Sequence, residues 1–132
     1  MVAPRTFDLI WCGSVATHIR AELTVALLRK FHDWLTPKGI AVVTTHGRRF
    51  AHYAMTREVK YFDGEPDLEP LLMSLAFTGF GYLPHPGQTQ GNTATVPSWL
   101  MQQVAAMDAR VVGFCEHGWY DHQDVVAFQR VA

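Results

Sequence analysis

Hydrophobic residues recur at every fourth position between residues 21 and 35 of this chain. The members of this stripe are Leu23, Leu27, Phe31 and Leu35, and Leu28 and Trp34 widen it. Such spacing predicts an amphipathic helix over 21–35 whose apolar side faces a core. Pro37 disfavours helical geometry in the residue before it, so we expect the helix to end there.

Four short apolar runs have the length and composition of buried β-strands. They are residues 7–12, 40–45, 111–115 and 124–128. The first two flank the helix, and a strand–helix–strand unit with short connections predicts parallel pairing. The last two are separated by eight residues, which is too short for a helical crossover and predicts an antiparallel hairpin.

Three more helices are predicted at about 47–57, 67–78 and 98–107. Residues 79–97 contain several glycines and prolines and no charged side chain, so we expect a loop or a small hairpin there. Long uncharged loops often act as lids or binding surfaces, and a surface hairpin without a role fits the pattern equally well.

These elements predict an α/β fold and a single domain over 1–132. The expected sheet is partial and open, with helices flanking it. If its strands are numbered by appearance, their spatial order is third–fourth–second–first, and the last strand is antiparallel to its neighbours. Four consecutive apolar residues at 125–128 place that last strand inside the sheet.

The composition and charge of the chain argue against several classes of partner. The chain has 132 residues, of which 48% are hydrophobic and 17% are charged, and its net charge is −1. Such a chain collapses into a core, and its balanced charge argues against nucleic acid or an anionic membrane as partner. Two distant cysteines, Cys12 and Cys115, favour a reduced compartment. We expect a cytoplasmic protein that binds a small molecule.

Several strings, taken in order, resemble the second half of class I S-adenosylmethionine-dependent methyltransferases. Residues 7–18, with Asp8-Leu-Ile-Trp-Cys-Gly-Ser14, are similar to that family's fourth strand and the loop after it. Residues 35–45 are similar to the segment entering its fifth strand, and Trp119-Tyr-Asp-His-Gln-Asp124 to its terminal portion. The resemblance implies a Rossmann-like sheet that carries strands four to seven.

The resemblance implies a methyl-transfer enzyme that uses S-adenosylmethionine and a small-molecule acceptor. Cys12, Gly13 and Ser14 would contact the cofactor, chiefly through backbone, and His18 would be the general base. The residues expected to line the acceptor pocket are His46, Tyr53, Trp119 and Tyr120. In open α/β sheets the ligand lies outside the carboxyl ends of the strands, where several of these residues stand.

The family's glycine-rich turn after the first strand, and the acidic residue after its second, have no counterpart in this sequence. Strand 7–12 would therefore have an open edge, which invites pairing with another chain. We expect a homo-oligomer, or pairing with a chain that supplies the N-terminal half.

Two other interpretations compete with the enzyme. A non-catalytic methyltransferase-like module, acting through self-association or binding, would also lack the glycine-rich turn. A metal site could use His117, Asp121 and His122, but no helical HxxxH or paired CxxC accompanies them. We predict no metal site.

Overall fold

A computed structural model describes residues 6–131, with ten helices and strands. In chain order they are β1 (Phe7–Cys12), α1 (Ala21–Trp34), β2 (Leu35–His46), α2 (Arg48–Thr56), α3 (Glu69–Thr78), β3 (Phe80–Pro84), β4 (Gly91–Thr95), α4 (Pro97–Ala105), β5 (Ala109–Trp119) and β6 (Gln123–Arg130).

The main sheet has four strands in the order β1-β2-β6-β5. Strands β1 and β2 are parallel, whereas β6 runs antiparallel to both β2 and β5. The predicted α/β fold and strand order are thereby confirmed. The apolar run of β6 lies between β2 and β5, inside the sheet as predicted.

The connection from α1 to β2 differs from the prediction. We expected a turn at 36–39, but β2 already begins at Leu35, which is fully buried and pairs with Phe7. Lys38 adopts a positive φ of 66°, and a Cβ on Gly39 would stand 2.9 Å from the Phe7 carbonyl oxygen. Glycine therefore allows β1 to approach β2 closely at this irregular point.

One face of the sheet carries the main core. Helices α1 and α4 pack here, and the buried residues of this cluster include Leu28, Phe31, Leu100, Val104, Ala41, Val43, Val126 and Phe128. The predicted helix stripe is rotated, because Leu23 is 51% exposed and Thr24 points inward. The inward face of α1 therefore follows Thr24, Leu28 and Phe31.

The other face of the sheet keeps apolar side chains in contact with solvent. On β1, Phe7 is 40%, Leu9 63% and Trp11 50% exposed. In the register of the sheet, Leu9 pairs with Ile40, and Trp11 pairs with Val42, both partly exposed. We call this surface of Phe7, Leu9, Trp11, Ile40 and Val42 the open face. Strand β1 also ends the sheet, as the described residues form it.

The segment predicted as a loop or hairpin forms the antiparallel pair β3–β4. All five residues of β4 are buried, including Asn92, Thr93 and Thr95. With α2 and α3 it forms a second cluster around Phe50, Leu71, Leu75 and Ala94. A strand enclosed in this way has no place for a charge, which accounts for the lack of charged residues at 91–95.

Candidate functional site

Three histidines meet at the carboxyl ends of β1 and β2. His18 lies in the loop after β1, His46 is the last residue of β2, and His122 lies in the turn between β5 and β6. The ring centroid of His46 is 6.2 Å from that of His18 and 5.9 Å from that of His122. We call these three side chains the histidine cluster. It occupies the position where open α/β sheets bind ligands.

Strand β4 holds two members of the cluster in place. His18 Nδ1 is 2.9 Å from the Gly91 carbonyl oxygen, and His46 Nδ1 is 3.1 Å from the Thr93 carbonyl oxygen. The backbone is joined as well, because the Gly91 N–H donates to the His18 carbonyl oxygen. The uncharged hairpin is thus part of the site, and its carbonyl groups orient the imidazoles.

These contacts determine the tautomer of each ring. A carbonyl oxygen only accepts hydrogen bonds, so Nδ1 of His18 and of His46 carries the proton. His122 makes an equivalent contact, with its Nδ1 3.2 Å from the Tyr120 carbonyl oxygen. In the neutral form of each ring, Nε2 is therefore the lone-pair nitrogen. All three histidines present the same acceptor atom.

His46 is the most deeply buried member, with 4% of its surface exposed. Its pKa is lowered to about 3, mainly by burial and also by the neighbouring His18 and His122, against a raising effect of the Thr93 bond. Its ring stacks on Phe50 at 4.1 Å between centroids. His46 is consequently neutral at physiological pH.

Tyr61 is a fourth side chain of the site, and sequence reasoning missed it. Its ring centroid lies 5.5 Å from that of His46 and 5.9 Å from that of His122. Its buried hydroxyl has no hydrogen-bond partner within residues 6–131, and burial raises its pKa. Tyr61 also lines a cavity of about 550 Å³ formed with the loop at 57–68. An unpaired buried hydroxyl is costly, and it is the signal that marks Tyr61.

The loop after β1 is tied to the opposite end of the chain. Ser14 has a positive φ of 58°, and its N–H donates to Thr44 Oγ1 at 2.8 Å. Gln123 Oε1 accepts from Thr44 Oγ1 at 2.6 Å, and its Nε2 donates to Ser14 Oγ at 3.0 Å. Cys12 packs against the main core, and burial raises the pKa of its thiol. Hydrogen bonds of the Thr44 and Gln123 side chains therefore hold the loop after β1 in place.

The other three residues predicted for an acceptor pocket lie outside the histidine cluster. Trp119 packs against Trp11 at 4.9 Å between ring centroids, on the side of the open face. Tyr120 contacts Trp119 and is 79% exposed. Tyr53 accepts a hydrogen bond of 2.8 Å from Arg49 Nε. Of the four, the structure brings only His46 together with His18.

A buried carboxylate lies next to the site. Asp124 is 1% exposed, and its Oδ1 accepts from the His117 N–H at 3.1 Å. A Cβ on Gly47 would fall 1.9 Å from Asp124 Oδ2, so the missing side chain of Gly47 makes room for the carboxylate at the start of α2. Burial raises the pKa of Asp124.

Within residues 6–131, no group of three or more His, Cys, Asp or Glu side chains is arranged to hold a metal ion. None of the helices in that range is long and apolar enough to span a membrane.

No protein-family model and no curated protein matches this chain. Solved structures do. A protein from Listeria monocytogenes described as an S-adenosylmethionine dependent methyltransferase matches with a TM-score of 0.64 and 11% identity, over 98% of this chain and 64% of its own. For a SAM-dependent methyltransferase from Methanosarcina mazei the TM-score is 0.62 with 11% identity, over 97% and 61%. TnmH matches at 0.55 with 15% identity, over 98% and 32%.

These structures share their fold with nearly all of this chain, whereas the chain spans less than two thirds of their length. The sheet order and the antiparallel β6 agree with the arrangement that the sequence resemblance implied. The chain therefore has the α/β fold of S-adenosylmethionine-dependent methyltransferases over a length equal to 64% of the Listeria protein.

Proposed function

We propose that this chain forms the acceptor side of an S-adenosylmethionine-dependent methyltransferase that acts on a small molecule. One observation carries the proposal: the histidine cluster lies at the carboxyl ends of β1 and β2 in a fold shared with methyltransferases. Ligands of open α/β sheets bind at that position.

The residues of this chain fit one end of the cofactor. The loop Cys12–Ser14 leaves β1 at its carboxyl end, and its conformation is fixed by Thr44 and Gln123. Within residues 6–131 no glycine-rich turn connects a strand to a helix, and the string Gly79-Phe-Gly81 follows the helix α3. The chain supplies one wall of a nucleoside site, and the opposite wall has to come from other polypeptide.

S-adenosylmethionine, when bound, supplies an activated methyl group. The chain's own contribution is to orient the acceptor and to take up its proton. His18 is suited to the second task, since Gly91 holds the proton on its Nδ1 and leaves its Nε2 as the base. His18 is half-buried, and its ring centroid lies 6.2 Å from that of the neutral His46 ring.

We propose that the open face and the free edge of β1 are covered by polypeptide that supplies the remainder of the methyltransferase fold. The matched Listeria structure has 36% of its length outside the matched part, and Leu9 and Trp11 are unusually exposed for residues in mid-strand. An uncovered apolar face next to an unpaired strand edge favours association.

A non-catalytic module is the second candidate function. The lack of a glycine-rich turn within residues 6–131 favours the non-catalytic module. Without that turn, S-adenosylmethionine loses its closest contacts with the backbone. Such a module would retain the open face for association and would not bind the cofactor's product.

Isothermal titration with S-adenosylhomocysteine at high protein concentration separates the two candidates. Saturable heat, absent with adenosine alone, is the result expected for the methyltransferase. Absence of heat, both for the chain alone and for the chain associated with the polypeptide that covers its open face, would favour the non-catalytic module.

A further inference from the structure

We infer that the histidine cluster and Tyr61 bind a neutral small molecule through its hydroxyl group, so that the acceptor is an alcohol or a phenol. This inference rests on the proposed function, whose acceptor side it specifies. It concerns recognition by side chains that the chain itself contains, and it can be tested without a methyl donor.

The first support is that the cluster accepts hydrogen bonds. The Nδ1–H groups of the three histidines donate to the backbone carbonyl oxygens of Gly91, Thr93 and Tyr120. In the neutral form of each ring, the Nε2 lone pair is therefore the atom that can meet a ligand, and a lone pair recognises a hydrogen-bond donor. A hydroxyl group donates one proton and still accepts hydrogen bonds, so it suits a site composed of several acceptors and one tyrosine hydroxyl.

The second support is that His46 carries no charge and that Arg49 of α2 is already bound to other groups. Burial and its two histidine neighbours keep His46 neutral. On α2, Arg49 is engaged with Tyr53 Oη at 2.8 Å, His117 Nδ1 at 2.9 Å and Asp121 at 3.1 Å. A carboxylate or phosphate entering the cluster would lose its hydration and meet lone pairs, which is unfavourable.

The third support is the shape of the surroundings. Phe50 stacks on one side of the His46 ring, and the Tyr61 ring meets Phe50 edge-on at 4.5 Å between centroids. Aromatic faces provide an apolar wall for a carbon skeleton. The buried Tyr61 hydroxyl, which has no hydrogen-bond partner within residues 6–131, would gain one from a polar group of the ligand.

The test uses three probes that share one ring: phenol, benzoate and toluene. The ring nitrogens of the ¹⁵N-labelled full chain are followed in long-range ¹H–¹⁵N spectra during each titration. Phenol is expected to shift the Nε2 resonances of His18 and His46 and to bind about threefold to tenfold more tightly than toluene. Benzoate binding as tightly as phenol, or toluene binding equally well, would overturn the inference.

Variants identify the residues responsible. H18F and H122F remove partly exposed members of the cluster and are expected to weaken phenol binding to the level of toluene. H52F is the matched control, because His52 is exposed on α2 and pairs with Glu58. Equal phenol affinity in H18F, H122F and H52F would contradict the assignment. If S-adenosylhomocysteine binds with heat but phenol binds no more tightly than toluene, only the inference about the hydroxyl group is rejected. If phenol binds as expected but S-adenosylhomocysteine gives no heat, only the use of the cofactor is rejected.

Discussion

The rings of His46 and Phe50 lie parallel, with 2° between their planes and 4.1 Å between their centroids. Four positions separate them in sequence, across the end of β2 and the start of α2. The stacking holds an imidazole in a place where its charged form is strongly disfavoured, which gives the fold a measurable dependence on pH.

Acid should destabilise this protein through His46. The pKa of His46 is about 3 in the folded state and 6.5 in the reference state, so the unfolded chain binds the extra proton between these values. The free energy of unfolding should therefore fall as pH drops below 6.5, by up to about 1.4 kcal/mol per pH unit from this group. Urea unfolding over this range measures the slope.

Comparison with a variant isolates His46 from other groups. The raised pKa of Asp124 acts in the opposite direction, since its contribution to stability is lost as pH rises through its folded value. H46F keeps an aromatic ring but does not titrate, so its slope should be shallower than that of the wild type. H52Q should leave the slope unchanged. Identical slopes in H46F and the wild type would disprove the assignment.

Gln123 should stabilise the loop after β1. In Q123L, Thr44 Oγ1 loses its acceptor and Ser14 Oγ loses its partner. We expect a loss of about 1–3 kcal/mol in the free energy of unfolding and faster hydrogen exchange at the Ser14 amide. Q88L, in an exposed turn, is the control and should change neither quantity. Unchanged Ser14 exchange in Q123L would show that the loop is held by other contacts.

Gly47 should not tolerate a methyl group. In G47A the new Cβ would overlap Asp124 Oδ2, so the buried carboxylate has to move. The expected loss of stability is about 1–3 kcal/mol. G113A is the matched control, because a Cβ at Gly113 would meet the Ala127 Cβ at 3.6 Å, an ordinary van der Waals distance. Equal stabilities of G47A and G113A, measured by thermal or urea unfolding, would contradict the close packing of Gly47 and Asp124.

The open face should control association. The double variant L9K/W11K places charge on β1, and it should abolish binding of the covering polypeptide and any concentration-dependent association of the chain itself. F77K is the control, since Phe77 is 81% exposed on α3, away from the sheet. Light scattering after size-exclusion chromatography measures the mass. A wild-type mass that stays monomeric excludes a second copy, and loss of association in F77K alone would place the interface elsewhere.

The sheet could be predicted because its determinants are local. Apolar runs set the strands, and the short link between β5 and β6 forces their antiparallel pairing. The start of β2 at Leu35 could not be predicted from the sequence, since it depends on pairing with Phe7 of β1. The prediction for α1 was wrong at Leu23 for a similar reason: the buried side of the helix is decided by its packing in the main core, with α4 and the sheet.

The site could be predicted only where its residues stand at strand ends. His18 and His46 follow β1 and end β2, and the structure brings them together. Tyr61 comes from a polar loop, and nothing in its neighbourhood distinguishes it. The bond between Ser14 and Gln123 joins positions 109 residues apart, so no local pattern reveals it.

Residue-resolved binding of S-adenosylhomocysteine tests the central claim most directly. Backbone amide shifts of the ¹⁵N-labelled chain, followed during titration with this compound, locate its contacts. We predict saturable shifts at Cys12, Gly13 and Ser14 that adenosine alone does not reproduce, with the cavity loop at 57–68 unaffected. A saturable titration in which the amides of Cys12, Gly13 and Ser14 do not shift would contradict the proposed methyltransferase site. Amide shifts confined to the cavity loop would contradict it as well.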